Sequence, residues 1–526
     1  MLPDAVIIGA GPNGLAAANV LGDAGWDVVV LEAQHEPGGA VRTAELIEAG
    51  FANDVCSAFY PLGVASPVFA SFGLEEHGLR WLHAPLVLAH PAADDTCAVL
   101  STDLDETARS LDELGAGDGD AWRRLYERWQ HLEPAILTSL FTPFPPVRGA
   151  IGIARRTGLS ELAALARFLL LPVRRLGDEH FVGEGARRLV AGAALHADLP
   201  PEAALSGFFG WLMCGLGQHV GFPVPEGGAA AITRALVHRL EARGGSVRCA
   251  ARVEAVEVRR GRAVAVRTAD GLEVAATHAV LADVDAPTLF RDLVGLEHLP
   301  TSFRDALDRF TWDDATVKLD WNLDGPIPWR AAAARRAGTV HVTAGVDHLT
   351  TNAAQLACGL IPSDPFLIVG QQSMTDPSRQ PPGKETAWAY THVPQRPSGD
   401  AADEIGTGWS ASDRARFVDR LEARLEALAP GFRDLIRGRH ATFPADFERK
   451  DGNLHGGALN AGTAQLHQQL IFRPVPGLGR PETPVKHLFL ASASAHPGGG
   501  VHGGPGANAA RAAIWARRRA RVSRRA

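Results

Sequence analysis

Apolar residues open this chain as short continuous runs and then change period. Residues 4–9 (Asp-Ala-Val-Ile-Ile-Gly) read as a short buried strand. Residues 26–32 (Trp-Asp-Val-Val-Val-Leu-Glu) read as a second strand, dense in β-branched side chains. The stretch between, 14–24, is rich in Ala and Leu and has the composition of a helix. Strand, glycine turn, helix and strand make a βαβ unit. From about 103 to 215 the pattern turns helical, with amphipathic stretches over 103–129 and 159–176 and a proline-rich break at 142–146. These helices are expected to form a separate lobe.

Near 221 the character changes. Gly221-Phe222-Pro223-Val224-Pro225-Glu226-Gly227-Gly228 is a glycine/proline loop, and the helix predicted over 229–243 stops at Gly244-Gly245. Strands are predicted over 253–258, 263–268 and 272–276, with Gly261 and Asp270-Gly271 supplying hairpin turns. A further strand falls at 279–281. Residues 286–440 mix strands, helices and long loops, and 412–428 is a clear amphipathic helix. The last fifty residues return to strand (487–491), glycine loop and helix (from 508). There is no internal repeat.

Composition narrows the field. A length of 526 residues accommodates two or three domains. The net charge of −7 and a pI near 6.3 argue against a nucleic-acid partner. The five cysteines, Cys56, Cys97, Cys214, Cys249 and Cys358, lie far apart, which removes a CxxC redox pair and a short-spaced metal site. A disulfide network is not expected, which fits a reducing, cytoplasmic location. Ala5 to Val20 lacks the basic leader of a signal peptide, and no apolar run reaches the ~18 residues of a membrane span. Peripheral membrane contact stays open, because Arg511, Arg517, Arg518, Arg519, Arg521, Arg524 and Arg525 cluster beside Ile514 and Trp515.

Three pieces carry chemistry. Gly9-Ala-Gly11-Pro12-Asn13-Gly14 fits GxGxxG between a strand and a helix, the context that makes this pattern specific. Gly9 permits the tight turn, Gly11 lets backbone approach a pyrophosphate at the helix N-terminus, and Gly14 lets helix pack on strand. Glu32, at the end of the second strand, can accept hydrogen bonds from ribose hydroxyls and would repel a 2′-phosphate. The second piece, Gly38-Gly39-Ala40-Val41-Arg42-Thr43, resembles the GGxxR[ST] continuation of FAD-binding oxidoreductases of the glutathione-reductase structural class. There the Arg lies against the flavin side of the cofactor. The third is the glycine-rich run 496–506 between strand and helix, where bare backbone permits close approach of a flavin.

Together these pieces resemble the phytoene desaturase-like flavoproteins over most of the chain. Pro225-Glu226-Gly227-Gly228 resembles that family's PxGG segment. Asp451-Gly452-Asn453-Leu454-His455-Gly456-Gly457-Ala458 and the run His496 to Val501 resemble the branch of pyridine nucleotide-disulfide oxidoreductase domain-containing protein 2. The chain departs from that branch at Ser492 and Ser494, where Gly is usual, and at His502, where the usual residue does not ionise. The resemblance implies an α/β fold: a Rossmann-like FAD-binding domain of the glutathione-reductase class with a mixed α+β substrate lobe. The FAD domain would comprise 1–85, 221–285 and 441–526, and the substrate domain 86–220 and 286–440. It implies FAD contacts from Gly9, Gly11, Pro12, Asn13, Gly14, Glu32, Ala33, Gly38, Gly39, Ala40, Arg42, Val253, Ser492, Gly503 and Gly504.

The expected activity is a dehydrogenase or desaturase, passing hydride from an apolar, isoprenoid- or lipid-like substrate to flavin in a dry pocket. His496 and His502 are the candidate proton acceptors, His455 a weaker one. An isomerase or oxidase using the same flavin, and a non-catalytic FAD-bound interaction protein, are the competing readings. An amine oxidase is disfavoured: no Cys follows Cys358, and Trp409 alone supplies a Tyr or Trp between Tyr390 and Trp515. Only one complete dinucleotide fingerprint is present, so electrons should leave to oxygen, a quinone or another diffusible acceptor rather than to a second bound nucleotide. Oligomeric state is not legible.

Overall fold

The computed structural model describes residues 2–477 and 479–523. Strand β1 (Ala5–Ile8) is buried at all four positions and runs into the glycine turn. Helix α1 (Pro12–Asp23) starts there with Pro at its first position, where a missing N–H is harmless. Strand β2 (Val28–Leu31) returns parallel to β1, pairing Ala5 with Val28 and Ile8 with Leu31. Strands β3 (Leu86–Pro91) and β4 (Cys97–Leu100) form an antiparallel pair.

The helical lobe follows, with two corrections to the expected stretches. The one over 103–129 is two helices, α2 (Leu104–Asp112) and α3 (Asp118–Leu140), parted by Gly115 and by Gly117 at φ +90°. The one over 159–176 breaks at Pro172, which has no N–H to continue a helix, into α4 (Leu162–Leu170) and α5 (Val173–His180). Helices α6 (Glu184–Ala194), α7 (Ser206–Val220) and α8 (Ala230–Glu241) complete this half.

Strand β5 (Ser246–Arg248) precedes an antiparallel meander of β6 (Val253–Arg259), β7 (Arg262–Thr268) and β8 (Glu273–Ala275). Then come β9 (Ala279–Ala282), β10 (Ala315–Leu323), β11 (Ala337–Val342), β12 (Leu367–Gly370) and β13 (Glu385–Val393). Helix α9 (Ala411–Leu428), β14 (Ile436–Thr442), β15 (Leu488–Leu490) and α10 (Gly504–Ser523) end the series. Helix α10 starts four residues before the expected 508, directly after Gly503 at φ +69°.

Two sheets organise the molecule. The first is five-stranded and parallel, in the order β15-β9-β1-β2-β5. Helices α1, α8 and α10 bury their apolar faces on one side of it, and the meander packs with its other side. This is the Rossmann-like arrangement. The second sheet is seven-stranded and mixed, in the order β14-β10-β13-β12-β11-β3-β4. Its apolar residues divide by strand alternation: Leu88, Ile368 and Trp388 pack with the helical lobe, and Ala89, Val317, Leu319 and Val369 pack with α9. Among the described residues no helix is long and apolar enough to cross a membrane. Of the arginine tail, Arg517 turns inward over Trp26, 4.9 Å from its ring, and Arg519 covers Trp515. Arg524 and Arg525 lie outside the described residues, as does the side chain of Arg521.

Candidate cofactor and substrate site

A cavity of about 740 Å³ runs from the glycine turn after β1 to the face of the seven-stranded sheet. Gly9, Gly11, Pro12, Asn13, Glu32, Ala33, Gly39, Ala40, Val253, Ser492 and His502 line it. Gly14, Gly38, Arg42, Gly503, Gly504 and His496 do not, and each has a structural reason. A Cβ on Gly14 would lie 2.1 Å from the Gly9 carbonyl, so this glycine seats α1 on the turn. Gly38 turns the chain at φ +126° against Thr233. Arg42, expected against the flavin, instead donates through Nε to the Gly39 carbonyl at 2.7 Å and through Nη2 to the Lys450 carbonyl at 3.3 Å. It braces the second glycine turn against the 450 loop. Gly503 lets the start of α10 meet Ala16 and Phe69.

Of the two histidines read as proton acceptors, His502 lines the cavity and His496 does not. His502 accepts the Gly504 N–H at Nδ1 (3.1 Å), and its Nε2 lies 3.3 Å from the Gly499 carbonyl, so both ring nitrogens are occupied. Its ring also packs edge-on against Phe141. His496 sits off the cavity against the end of α3. Burial pushes both rings down to about 4, which keeps them neutral. His455 is half-exposed, stacked on Trp312 and paired with Glu448.

The turn end of the cavity could hold a dinucleotide. The Glu32 carboxylate is held by the N–H groups of Ala10 (2.7 Å) and Gln34 (2.8 Å), which leaves lone pairs for ribose hydroxyls. Burial pushes its pKa up. Asn13 Oδ1 is buried with no hydrogen-bond partner. A Cβ on Gly39 would crowd Asp451 and Gly11, so backbone lies bare where the two glycine turns meet. The sequence pattern had not flagged Asp283. Its Oδ2 accepts the Gly14 N–H at 2.7 Å and stands 2.8 Å from the place a Gly11 Cβ would take. Burial pushes Asp283 up to about 8, so at neutral pH it is mainly a neutral acid at the N-terminus of α1.

The sheet end is amphipathic. One wall is apolar and comes from the helical lobe and its loops: Leu62, Leu140, Phe209, Leu212, Met213 and Phe222. The opposite wall is the sheet face, where alternation on β10 presents Thr316 and Lys318, and on β13 presents Trp388, Tyr390 and His392. Trp388 and Tyr390 stack with centroids 5.7 Å apart. Both line the cavity, and they lie outside the stretch after Tyr390 scanned for Tyr and Trp in the sequence. Lys318 is buried, donates to the Asp54 carbonyl at 2.9 Å and pairs with Asp320. His392 lies 2.8 Å from Asp198. Burial alone would push His392 down, but Asp198, with Asp314 and Asp313 beyond it, raises it to about 9 and keeps it charged. His196 also lines the cavity and contacts His341 at 2.8 Å, both held neutral by burial. The pocket is therefore not wholly apolar. The signal was in the sequence as alternating polar residues in Thr-Val-Lys-Leu-Asp and Trp-Ala-Tyr-Thr-His.

Known proteins agree with this geometry. The model for flavin containing amine oxidoreductases matches residues 98–512, and one for NAD(P)-binding Rossmann-like domains matches 7–73. The mouse pyridine nucleotide-disulfide oxidoreductase domain-containing protein 2 is 28% identical, covering 96% of this chain and 92% of its own length. A phytoene dehydrogenase from Streptomyces griseus is also 28% identical, over 94% of this chain and 92% of its own. A solved putrescine oxidase superposes with a TM-score of 0.60 at 15% identity, covering 98% of each chain, which is a likeness of fold.

Proposed function

Because the chain belongs to the flavin containing amine oxidoreductase family, with the phytoene desaturase-like proteins, we propose that it holds one FAD without a covalent link and dehydrogenates a small organic substrate. The family is one of FAD-dependent oxidoreductases, and the chain is an enzyme of that kind. The observation that carries the finer reading is the single continuous cavity. It joins a dinucleotide-binding turn at one end to an apolar helical wall at the other.

The residues present suit the cofactor. The bare turn at Gly9 and Gly11, with the N-terminus of α1 behind it, favours a pyrophosphate. Glu32 suits the ribose, with Ala33 and Val253 lining the cavity beside it. Ser492, Ala493, Gly499 and Gly500 supply small side chains and backbone toward the sheet end. FAD, when bound, supplies a hydride acceptor. The protein's own share is to orient the substrate between the apolar wall and the sheet, and to exclude water there. Cys56 is the cysteine that lines the cavity, and burial raises its thiol to about 12, so it stays protonated. Electrons are expected to leave to oxygen or a quinone.

Purified protein should be yellow, and heat or acid should release its flavin into the supernatant. Anaerobic mixing with NADH or NADPH should bleach the flavin slowly and without saturation, while a quinone reoxidises it rapidly. A folded protein that takes up no FAD would overturn the reading. Fast, saturable bleaching at micromolar nucleotide would overturn the assignment of a diffusible acceptor.

A further inference from the structure

The helical wall of the cavity suits a hydrocarbon, but the sheet wall does not. Trp388, Tyr390 and His392 alternate along β13 and share one face, each pair about 7 Å apart at the rise of an extended strand. The indole Nε1 of Trp388 is buried without a hydrogen-bond partner, and it can only donate. His392 makes its ion contact with Asp198, yet neither ring nitrogen has an aligned hydrogen-bond partner. Between them the Tyr390 side chain lines the cavity, and its hydroxyl makes no hydrogen bond to a described residue. The Trp388 Nε1 and the His392 ring nitrogens are already shut off from water, so the Tyr390 hydroxyl is the group that a bare hydrocarbon laid on this face would dry and give nothing in return.

Charge decides what kind of group belongs there. Both cations on this face are already matched, Lys318 by Asp320 and His392 by Asp198. Asp198 is engaged a second time by the Asn460 amide at 2.7 Å. A carboxylate brought in would find no uncompensated cation, and an ammonium group would find no free carboxylate on this floor. A neutral acceptor meeting the Tyr390 hydroxyl fits. We propose that the substrate is a compact, largely apolar molecule bearing one neutral carbonyl oxygen, which accepts a hydrogen bond from Tyr390 between Trp388 and His392. This rests on the reading of the cavity as the substrate site. The carbonyl anchors one end of the molecule on the sheet, and Leu212, Met213 and Phe222 hold its hydrocarbon body from the helical side.

Carvone and limonene share a carbon skeleton and differ by one carbonyl. Calorimetric titration of the full chain, supplied with FAD, compares them without requiring turnover. Carvone should bind about tenfold more tightly than limonene, the size of one or two net hydrogen bonds. Tyr390→Phe should remove most of that preference by weakening carvone and leaving limonene unchanged. His392→Gln provides a second variant should Tyr390→Phe unfold, and it should narrow the preference in the same direction. Equal binding of the two compounds, binding of neither, or an equal loss of both in Tyr390→Phe overturns the carbonyl assignment. Flavin retention, measured separately on the same protein, tests the broader reading, so the two can fail independently.

Discussion

At the mouth of α1 a buried carboxyl stands in for a helix cap. Gly11 has no side chain to satisfy the first amides, and Asp283, reaching across from the end of β9, accepts the Gly14 N–H instead. The environment disfavours its charged form. Its ordinary pKa is 3.8 and burial raises it to about 8, with Asp451 and Glu32 adding repulsion. Between those values the unfolded chain has released a proton that the folded chain keeps. Stability from this site is therefore lost as pH rises through the window, by at most about 1.4 kcal/mol per pH unit. Asp283→Asn keeps an acceptor and removes the titration. The apoprotein variant should gain on the wild type with each step from pH 4.5 to 8, read as the difference in Tm. A difference that does not change with pH would show that Asp283 is not protonated in the fold.

Helix α10 carries the closest backbone approach in the cofactor half. A Cβ on Gly506 would fall 1.8 Å from the Asn13 carbonyl, so α10 lies against the first turn of α1 with no room for a methyl group. Gly506→Ala should force the two helices apart, destabilise the fold by about 1–3 kcal/mol or more, and lower the flavin-to-protein ratio after gel filtration. Full flavin retention would contradict that packing. The same helix bears the arginine tail. With Arg517 turned onto Trp26 and Arg519 onto Trp515, a chain ending at Ala516 should float with anionic liposomes no differently from the full one. Greater flotation of the full chain would assign the tail a lipid role. Much of this half was legible because its signals are local: the βαβ unit, the glycine spacing and the acid ending β2 lie within about forty residues. What was not legible depends on partners distant in sequence. Nothing near Asp283 says that it will meet Gly14, 269 residues away. The contact of Arg42 with the 450 loop was equally hidden, since that loop arrives four hundred residues later. The polar face of β13 was readable as alternation, but only once 385–393 is taken as a strand with one side against a cavity.

Across the whole molecule, a buried charge cluster ties the loop after β12 to the segments around Asp54 and Pro225. Arg379, after β12, binds Asp54 through Nη1 at 2.5 Å, Asp376 through Nε at 3.0 Å and the Pro225 carbonyl through Nη2 at 3.0 Å. Those two carboxylates also hold the glycine loop ahead of α8, accepting the N–H groups of Ala229 and Gly227. All three charged side chains are almost wholly inaccessible to water. Arg379→Ala would strand two carboxylates in the interior and should cost about 3–5 kcal/mol, seen as a lower midpoint in thermal or denaturant unfolding. A loss below about 1 kcal/mol would mean that water reaches the cluster. The order of strands in the parallel sheet has a consequence for how the protein is made. Its edge strand β15 and the helix packed on α1 are encoded after residue 487, while β1 and β2 lie within the first 31. A ribosome releases four of the five strands by residue 282 and the edge strand about two hundred residues later. The nascent unit must wait, with one flank of β9 unpaired, until β15 emerges. The cavity is likewise incomplete until the segment after β15 closes it, and the half-made chain is the stage at which chaperones have most to shield.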